Sequence, residues 1–353
     1  MMKKLGTLFL CLTLLLGMTS CSSARRYVAY TVYPVGYLLE RIGGGRIESV
    51  SVQNNAIVQT ANIREDYKEI LEDSSYFLHI GRLEPYLDLY EEEITESGAV
   101  DVDLSVLNAI YKFERYTMVY VDGKESFVES PYYNGDVFSL IDTNEQDLLL
   151  WIDPIGMLSM AKDVYTLLSS NYVEMSSEFQ ANYKKLESEL IELDASYQNL
   201  SARLKKENKT IKFVSMSASF GNWQKAYGFQ VYPVCLSKYG SLPTEEELEL
   251  IKARIVADGV QYIAFEPNMT DQMIDLYTRL ESELGLKRVN LSNVSSLTTT
   301  QIADNKDYFT LMYENLSVLE NMATAEIQSA IPETTEEPEA PETTEEPDET
   351  PAD

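Results

Sequence analysis

Eight apolar residues, Phe179, Tyr183, Leu186, Leu190, Leu193, Tyr197, Leu200 and Leu204, recur at spacings of four, three, four, three, four, three and four. That pattern predicts one apolar stripe on a continuous helix, with Glu, Lys, Asn and Ser on the other faces. At ~1.5 Å per residue the stripe runs nearly 40 Å, longer than a small domain needs. Such a stripe must be covered. It is either a coiled-coil seam between two chains or a spine packed against its own chain.

On both sides of this helix the chain alternates strand-like and helix-like runs. Before it, "YVAYTVY", "IESVSV" and "SSYFLHIG" read as strands, and "PVGYLLERIGGG", "REDYKEILED" and "LEPYLDLYEEEI" as helices. Pro34 opens the first helix and Gly43 to Gly45 stop it. The glycines follow a helix and precede a strand, with no Gly-Lys-Ser partner, so they do not form a phosphate loop. After the long helix, "IKFVSM", "FQVYPV", "QYIAFEP" and "LKRVNLS" read as strands interleaved with helices such as "PTEEELELIKARIVADG". The expected fold is α/β: two lobes with mostly parallel sheets, joined by a long rigid helix, with a cleft between them. The boundaries read as an N-terminal lobe over 27–155, a linking helical segment over 156–209 and a C-terminal lobe over 210–328.

The two ends are of other kinds. Lys3 and Lys4 precede an apolar core, Leu5 to Leu16, too short to span a bilayer, so 1–20 reads as a secretory signal peptide. Met18-Thr19-Ser20-Cys21 resembles a bacterial lipobox, with Met where Leu is usual. The resemblance implies cleavage before Cys21, lipidation of its thiol, a short linker over 21–26 and a place on the extracytoplasmic face of the cell membrane. Cys11 leaves with the signal, and Cys235 in "VYPVCL" reads as a small buried hydrophobe. At the far end "PETTEEP" occurs twice within Ile331 to Asp353, a segment with ten acidic residues and no basic one. Its composition predicts a disordered tail over 329–353. The net charge is −29, of which the tail supplies about a third, and nucleic acid is therefore not an expected partner. No Ser-His pairing, no Cys-His arrangement around the single His79 and no phosphate loop is present, so the chain does not read as an enzyme.

Six stretches, "YPVGYLLERIGGGRIESVSV", "LEPYLD", "WIDP", "FVSMSASFGNWQKAYGF", "IAFEPN" and "DYFTLMYENLSVL", occur in the order seen in zinc/manganese-type solute-binding lipoproteins of ABC importers. The resemblance runs over about residues 27 to 322. It implies a metal site at the lobe interface and docking of a monomer to a membrane permease. It also implies four ligand positions, two in each lobe. The first, in "IVQTANIRED", falls on Gln59 or Thr60; the second, two residues before Trp151, is Leu149. The third, after the first strand of the C-terminal lobe, is Ser217, and the fourth, after its last strand, is Ser292. None is His, Cys or a carboxylate, the groups that zinc and manganese take. The expectation is therefore no cofactor, although the resemblance implies zinc or manganese.

Other polar residues remain near these positions. Asp147 is a neighbour of the Leu149 position, and Ser215, Ser217, Ser219, Ser292 and Asn293 bring neutral groups to the cleft. These suit an uncharged polar ligand or a permanently closed interface. Glu266 either faces a ligand or ties the helix that follows it, and the structural role is the expectation; an oxygen-only metal site would need Asp147, Asp153 and Glu266 to converge. Asp153 before Pro154 reads as a helix cap, and His79 at a strand end as a hydrogen-bonded structural group. The expected function is a lipid-anchored solute-binding protein of a metal-type importer with an altered ligand or weakened metal binding. The alternative is a surface interaction lipoprotein that keeps the scaffold without a small ligand.

Overall fold

A computed structural model describes residues 27–328 apart from 55–56, 107–110, 113–114, 122–123 and 144–145. The signal segment, Cys21 with its linker and the acidic tail lie outside the described residues. The N-terminal lobe runs β1 (Tyr27–Tyr30), α1 (Tyr33–Gly43), β2 (Ser49–Ser51), α2 (Tyr67–Glu72), β3 (Ser74–His79), α3 (Tyr86–Leu89), α4 (Glu91–Glu96) and β4 (Val100–Asp103). Its strands are all parallel, in the order β2-β1-β3-β4. Pro34 lies in the first turn of α1, and Gly44, at φ +59°, ends it by turning its amide back to the Glu40 carbonyl. Gly36 makes room for the Tyr30 ring: a Cβ there would lie 2.3 Å from Tyr30 Cζ, so any side chain at that position would displace the ring.

One expected helix is two. "LEPYLDLYEEEI" breaks at Tyr90, whose backbone leaves the helical region and whose ring packs 5.1 Å from that of Tyr67 on α2. The tertiary contact overrides a locally helical sequence.

After β4 come β5 (Tyr111–Lys112), β6 (Arg115–Val121), β7 (Lys124–Ser130) and β8 (Gln146–Asp147), paired antiparallel as β5 with β8 and β6 with β7. The helices α5 (Pro154–Asn171) and α6 (Ser176–Lys206) then lead to the C-terminal lobe. That lobe runs β9 (Lys212–Ser217), α7 (Gly221–Tyr227), β10 (Gln230–Cys235), α8 (Glu245–Ala257), β11 (Tyr262–Phe265), α9 (Asp271–Leu284), β12 (Lys287–Asn290), α10 (Thr299–Ala303) and α11 (Tyr308–Gln328). Its strands are again all parallel, in the order β10-β9-β11-β12.

The stripe on α6 decides between seam and spine. All eight of its residues are buried within this one chain, against α5, α1 and α11. Tyr183 stacks on Tyr165 at 4.9 Å, and the Tyr197 hydroxyl donates to the Met312 carbonyl at 2.7 Å. Each buried leucine of the stripe contributes roughly 1.5–3 kcal/mol. One apolar cluster runs from Val28 and Leu39 through Leu190 and Tyr197 to Phe213 and Trp223, so both sheets share a core through the spine. Separate clusters fill the outer faces of the two lobes. Among the described residues no helix is long and apolar enough to cross a membrane.

Candidate functional site

The stretch from Asp147 to Pro154 is where the lobes meet, and it is not the buried strand its leucines suggest. β8 ends at Asp147, and Leu150–Ile152 form a single 3-10 turn. The reason lies in the opposite lobe. Asn222 Nδ2 donates to the Leu149 carbonyl at 3.1 Å, the Tyr308 hydroxyl to the Trp151 carbonyl at 2.7 Å and the Trp223 indole to the Ile152 carbonyl at 2.8 Å. The Trp151 indole in turn donates to the Asn293 carbonyl at 2.7 Å. Side-chain donors thus satisfy backbone groups that a strand would have paired. Asp153 caps α5 by accepting the Ile155 amide at 2.9 Å, with Pro154 in the first turn, and burial raises its pKa to about 6.

Leu149 is buried at this junction. Beside it lies a cavity of about 10 Å³ lined by Gln59, Asp147 and Leu149 from one side and Ala218, Leu236, Ser237 and Lys238 from the other. That is room for about one water molecule. Gln59 and Thr60 sit on the turn Val58–Thr60, and a Cβ on Gly240 would lie 3.0 Å from Thr60 Cγ2. The loops of the two lobes therefore touch, and the cleft is closed here. The Tyr33 amide also donates a hydrogen bond to the Ser295 carbonyl at 3.2 Å.

Asp147 is the carboxylate of this cavity. Its Oδ1 accepts the Leu149 amide at 3.2 Å, and its Oδ2 is buried with no hydrogen-bond partner among the described residues. Burial raises its pKa to about 7, only partly opposed by the Leu149 amide. Lys238 is held by Asp142 at 3.2 Å on the other wall. Ser237 and Lys238 escaped sequence reading because only the tertiary approach of the loop after β10 brings them here.

A second polar cluster gathers Ser217, Ser219, Glu266 and Asn293. Glu266 Oε1 accepts the amides of Met216 and Ser217 at 2.8 and 3.0 Å, while Oε2 takes the Ser217 hydroxyl and, at 3.3 Å, Asn293 Nδ2. The expectation that Glu266 ties the following helix is corrected. Thr270 caps α9, and Glu266 instead clamps the end of β9, the strand beside β11 in the sheet. Burial raises its pKa, opposed by the Ser217 hydroxyl and these amides. Ser215 turns its hydroxyl to the Ser217 carbonyl. Ser292 joins neither cluster: its amide and carbonyl are bonded by Asn315 at 2.8 and 2.7 Å, and its hydroxyl accepts the Val294 amide. Asp147, Asp153 and Glu266 do not converge, and among the described residues no group of three His, Cys, Asp or Glu is placed to hold a metal ion. The donors here do not fit a four-coordinate zinc site of nitrogen, sulfur and carboxylate ligands. Cys235 is buried, its thiol pushed up to about 12.

His79 lies outside this junction. Its Nδ1 donates to the Gly81 carbonyl at 2.8 Å and its Nε2 faces Asp101 Oδ1 at 2.9 Å. Burial alone would lower its pKa, but the Asp101 carboxylate and the Gly81 carbonyl outweigh it and hold the ring above 6.5. Because His79 is the sole histidine, its ring resonance can be followed without ambiguity. The NMR titration midpoint is expected above 6.5 and should fall on Asp101→Asn; an unmoved midpoint would refute the pairing.

The chain matches the family described as "ZnuA: Zinc-uptake complex component A periplasmic" over residues 28–322. It belongs to this family. The family is the solute-binding component of ABC importers, not a family of enzymes. The zinc-binding protein AdcA of Streptococcus pyogenes is 26% identical over 170 residues, 48% of this chain and 32% of AdcA. The Streptococcus pneumoniae AdcA, named a zinc-binding lipoprotein, is 23% identical over 194 residues, 55% of this chain and 37% of that protein. The chain thus spans about a third of the length of the curated relatives it matches. The S. pneumoniae protein, solved as Zn(II)-bound AdcA, superposes with a TM-score of 0.62 at 16% identity, covering 85% of this chain and 58% of that one. The laminin-binding adhesin Lmb of Streptococcus agalactiae gives 0.66 at 15%, covering 84% and 99%. Both structures share the fold. The expectation of no metal is overturned by these matches: the relatives are zinc-binding and one was solved with Zn(II), so zinc is the ligand to expect in this family.

Proposed function

We propose that the chain is the lipid-anchored, extracytoplasmic solute-binding component of a metal-type ABC importer, with zinc as cargo held weakly by an altered donor set at the lobe junction. The observation that carries this reading is Asp147, whose buried Oδ2 has no hydrogen-bond partner among the described residues and lies beside a cavity of about 10 Å³. Gln59 and Ser237 add neutral oxygens from opposite walls of that cavity, and Leu149 adds only an aliphatic surface. One carboxylate with neutral oxygens compensates a dehydrated divalent ion less than imidazole or thiolate sets do. The lobes are assigned to 27–155 and 210–328 and the linking segment to 156–209. Anchoring through Cys21 is supported by the lipobox-like sequence and by the name of the S. pneumoniae relative. The permease of such an importer is the partner, met by a monomer.

Calorimetric titration of the chelator-stripped chain with Zn²⁺ tests the reading. Binding is expected in the range of about 10 μM or weaker, and Asp147→Asn should weaken it at least tenfold, ~1.4 kcal/mol. Leu149→His, which places an imidazole beside Asp147, should tighten it by at least a similar factor. Stoichiometric submicromolar binding that survives Asp147→Asn would refute the altered-donor reading.

A further inference from the structure

Among the described residues most basic side chains sit in ion pairs, from Arg41 with Glu189 and Lys184 with Glu187 to Arg279 with Glu245 and Lys306 with Glu314. The base of the C-terminal lobe departs from that pattern. α6 ends there with Arg203, Lys205 and Lys206, and Lys209 follows just before β9. The first three are exposed, Lys209 is half-buried, and none of the four forms an ion pair among the described residues. Lys212 opens β9 and gives its ammonium group to the Asp258 carbonyl at 2.8 Å. Lys287 opens β12, with its Nζ 5.7 Å from the centre of the Tyr262 ring. These two lysines lie at the same end of the sheet, because Tyr262 on β11 pairs with Phe213 on one side and Lys287 on the other. Glu207 and Glu326 offset part of this charge and leave the patch basic. Cations in the last turn of α6 also suit its dipole, but that accounts for neither Lys209 nor Lys287.

The described chain ends at this same place. Glu326 on the last turn of α11 lies close enough to Tyr262 for its charge to act on the Tyr262 hydroxyl. Beyond Gln328 come 25 residues, of which ten are acidic and none basic, with "PETTEEP" delivering three carboxylates twice. Fully extended they would reach roughly 80 Å, far more than the base of one lobe requires. Attachment to the same chain raises the local concentration of these carboxylates to roughly the millimolar range. We propose that the acidic tail docks on the basic base of its own C-terminal lobe. Each exposed pair contributes less than about 1 kcal/mol and is screened by salt, so the contact rests on several weak pairs and is salt-sensitive. Docked, the tail neutralises this basic surface and keeps other anions from it. The tail is the chosen occupant because its charge is complementary and because the chain emerges beside the patch.

The test uses the isotope-labelled mature chain with its tail, and follows the tail Glu and Thr amide resonances by NMR. At about 20 mM salt these resonances are expected to be displaced from their positions at about 500 mM, where screening is nearly complete. The variant carrying Lys205→Glu, Lys206→Glu and Lys209→Glu should show the high-salt positions already at low salt, with the melting temperature lowered only by the small loss of favourable charge at the end of α6. If that variant misfolds, the wild-type salt series still decides. Tail resonances indifferent to salt, or to the charge reversal, overturn the proposal. Salt-sensitive binding of the wild-type chain to phosphatidylserine vesicles that leaves the tail resonances unmoved also overturns it, by assigning the patch to a membrane.

Discussion

Trp151→Ala is expected to destabilise the protein by about 4 kcal/mol, near the top of the range for a large-to-small core substitution. The indole is fully buried at the junction and gives its hydrogen bond to the Asn293 carbonyl at 2.7 Å. Its removal opens a cavity and strands a buried acceptor, which costs a further penalty of about 1–3 kcal/mol within that total. The neighbouring carbonyls are held from the C-terminal lobe by Asn222, Tyr308 and Trp223, so the damage falls on the contact between lobes. Trp151→Phe keeps most of the apolar volume and loses only the donor, so about 2 kcal/mol is expected. Urea unfolding should show a lower midpoint with an unchanged slope. A loss under about 1 kcal/mol for the alanine variant would mean that the junction does not depend on this ring.

The second large effect is on pH. Glu84 is fully buried, and burial raises its pKa from 4.5 to about 7, only partly opposed by the nearby Thr31 hydroxyl. Burial likewise carries Asp147 from 3.8 to about 7 and Asp153 to about 6, and raises Glu266. The sign follows from proton counting. Between the unfolded and folded pKa values the native state holds a proton that the unfolded chain has released, so stability falls as pH rises through that window. For Glu84 and Asp147 the fall begins near pH 4 and is complete just above pH 7. His79 acts in the same direction: its stabilisation is full below 6.5 and is lost as pH rises through its raised folded value. The groups with lowered pKa, such as Asp103 and Glu187, change charge below this window and do not offset the trend. At about 1.4 kcal/mol per pKa unit, Glu84 alone accounts for about 3 kcal/mol and Asp147 for about 4. Urea unfolding at pH 5 and pH 8 should show the higher stability at pH 5. Glu84→Gln should shrink that difference by about 3 kcal/mol. Equal stability at the two pH values would refute the account.

Much of the fold is legible in the residues taken in order. The spacing from Phe179 to Leu204 specifies a helix, and Pro34, Gly44, Asp153 and Thr270 mark helix ends through local hydrogen bonding and backbone angles. The alternation of strand and helix requires parallel sheets, since a strand returning over a helix runs in the same direction. The site is far less legible. Gln59 and Leu149 line one cavity, whereas Ser217 is tied to Glu266 and Ser292 to Asn315. Nothing local to Glu266 says that its partners are the amides of Met216 and Ser217, fifty and forty-nine residues earlier.

The sequence by itself determined the elements, their order, the long apolar helix and the absence of imidazole, thiolate or carboxylate at Gln59, Leu149, Ser217 and Ser292. These depend on periodicity, caps and residue identity, which act over a few positions. Only the tertiary structure decided that the helix is a spine within one chain, that Tyr90 breaks its helix, that Leu150–Ile152 is a turn, and that Asp147 Oδ2 is buried with no hydrogen-bond partner among the described residues. Each of these depends on which distant group supplies a surface or a hydrogen bond, and contacts between Leu149 and Asn222 or Trp151 and Asn293 have no trace in local sequence.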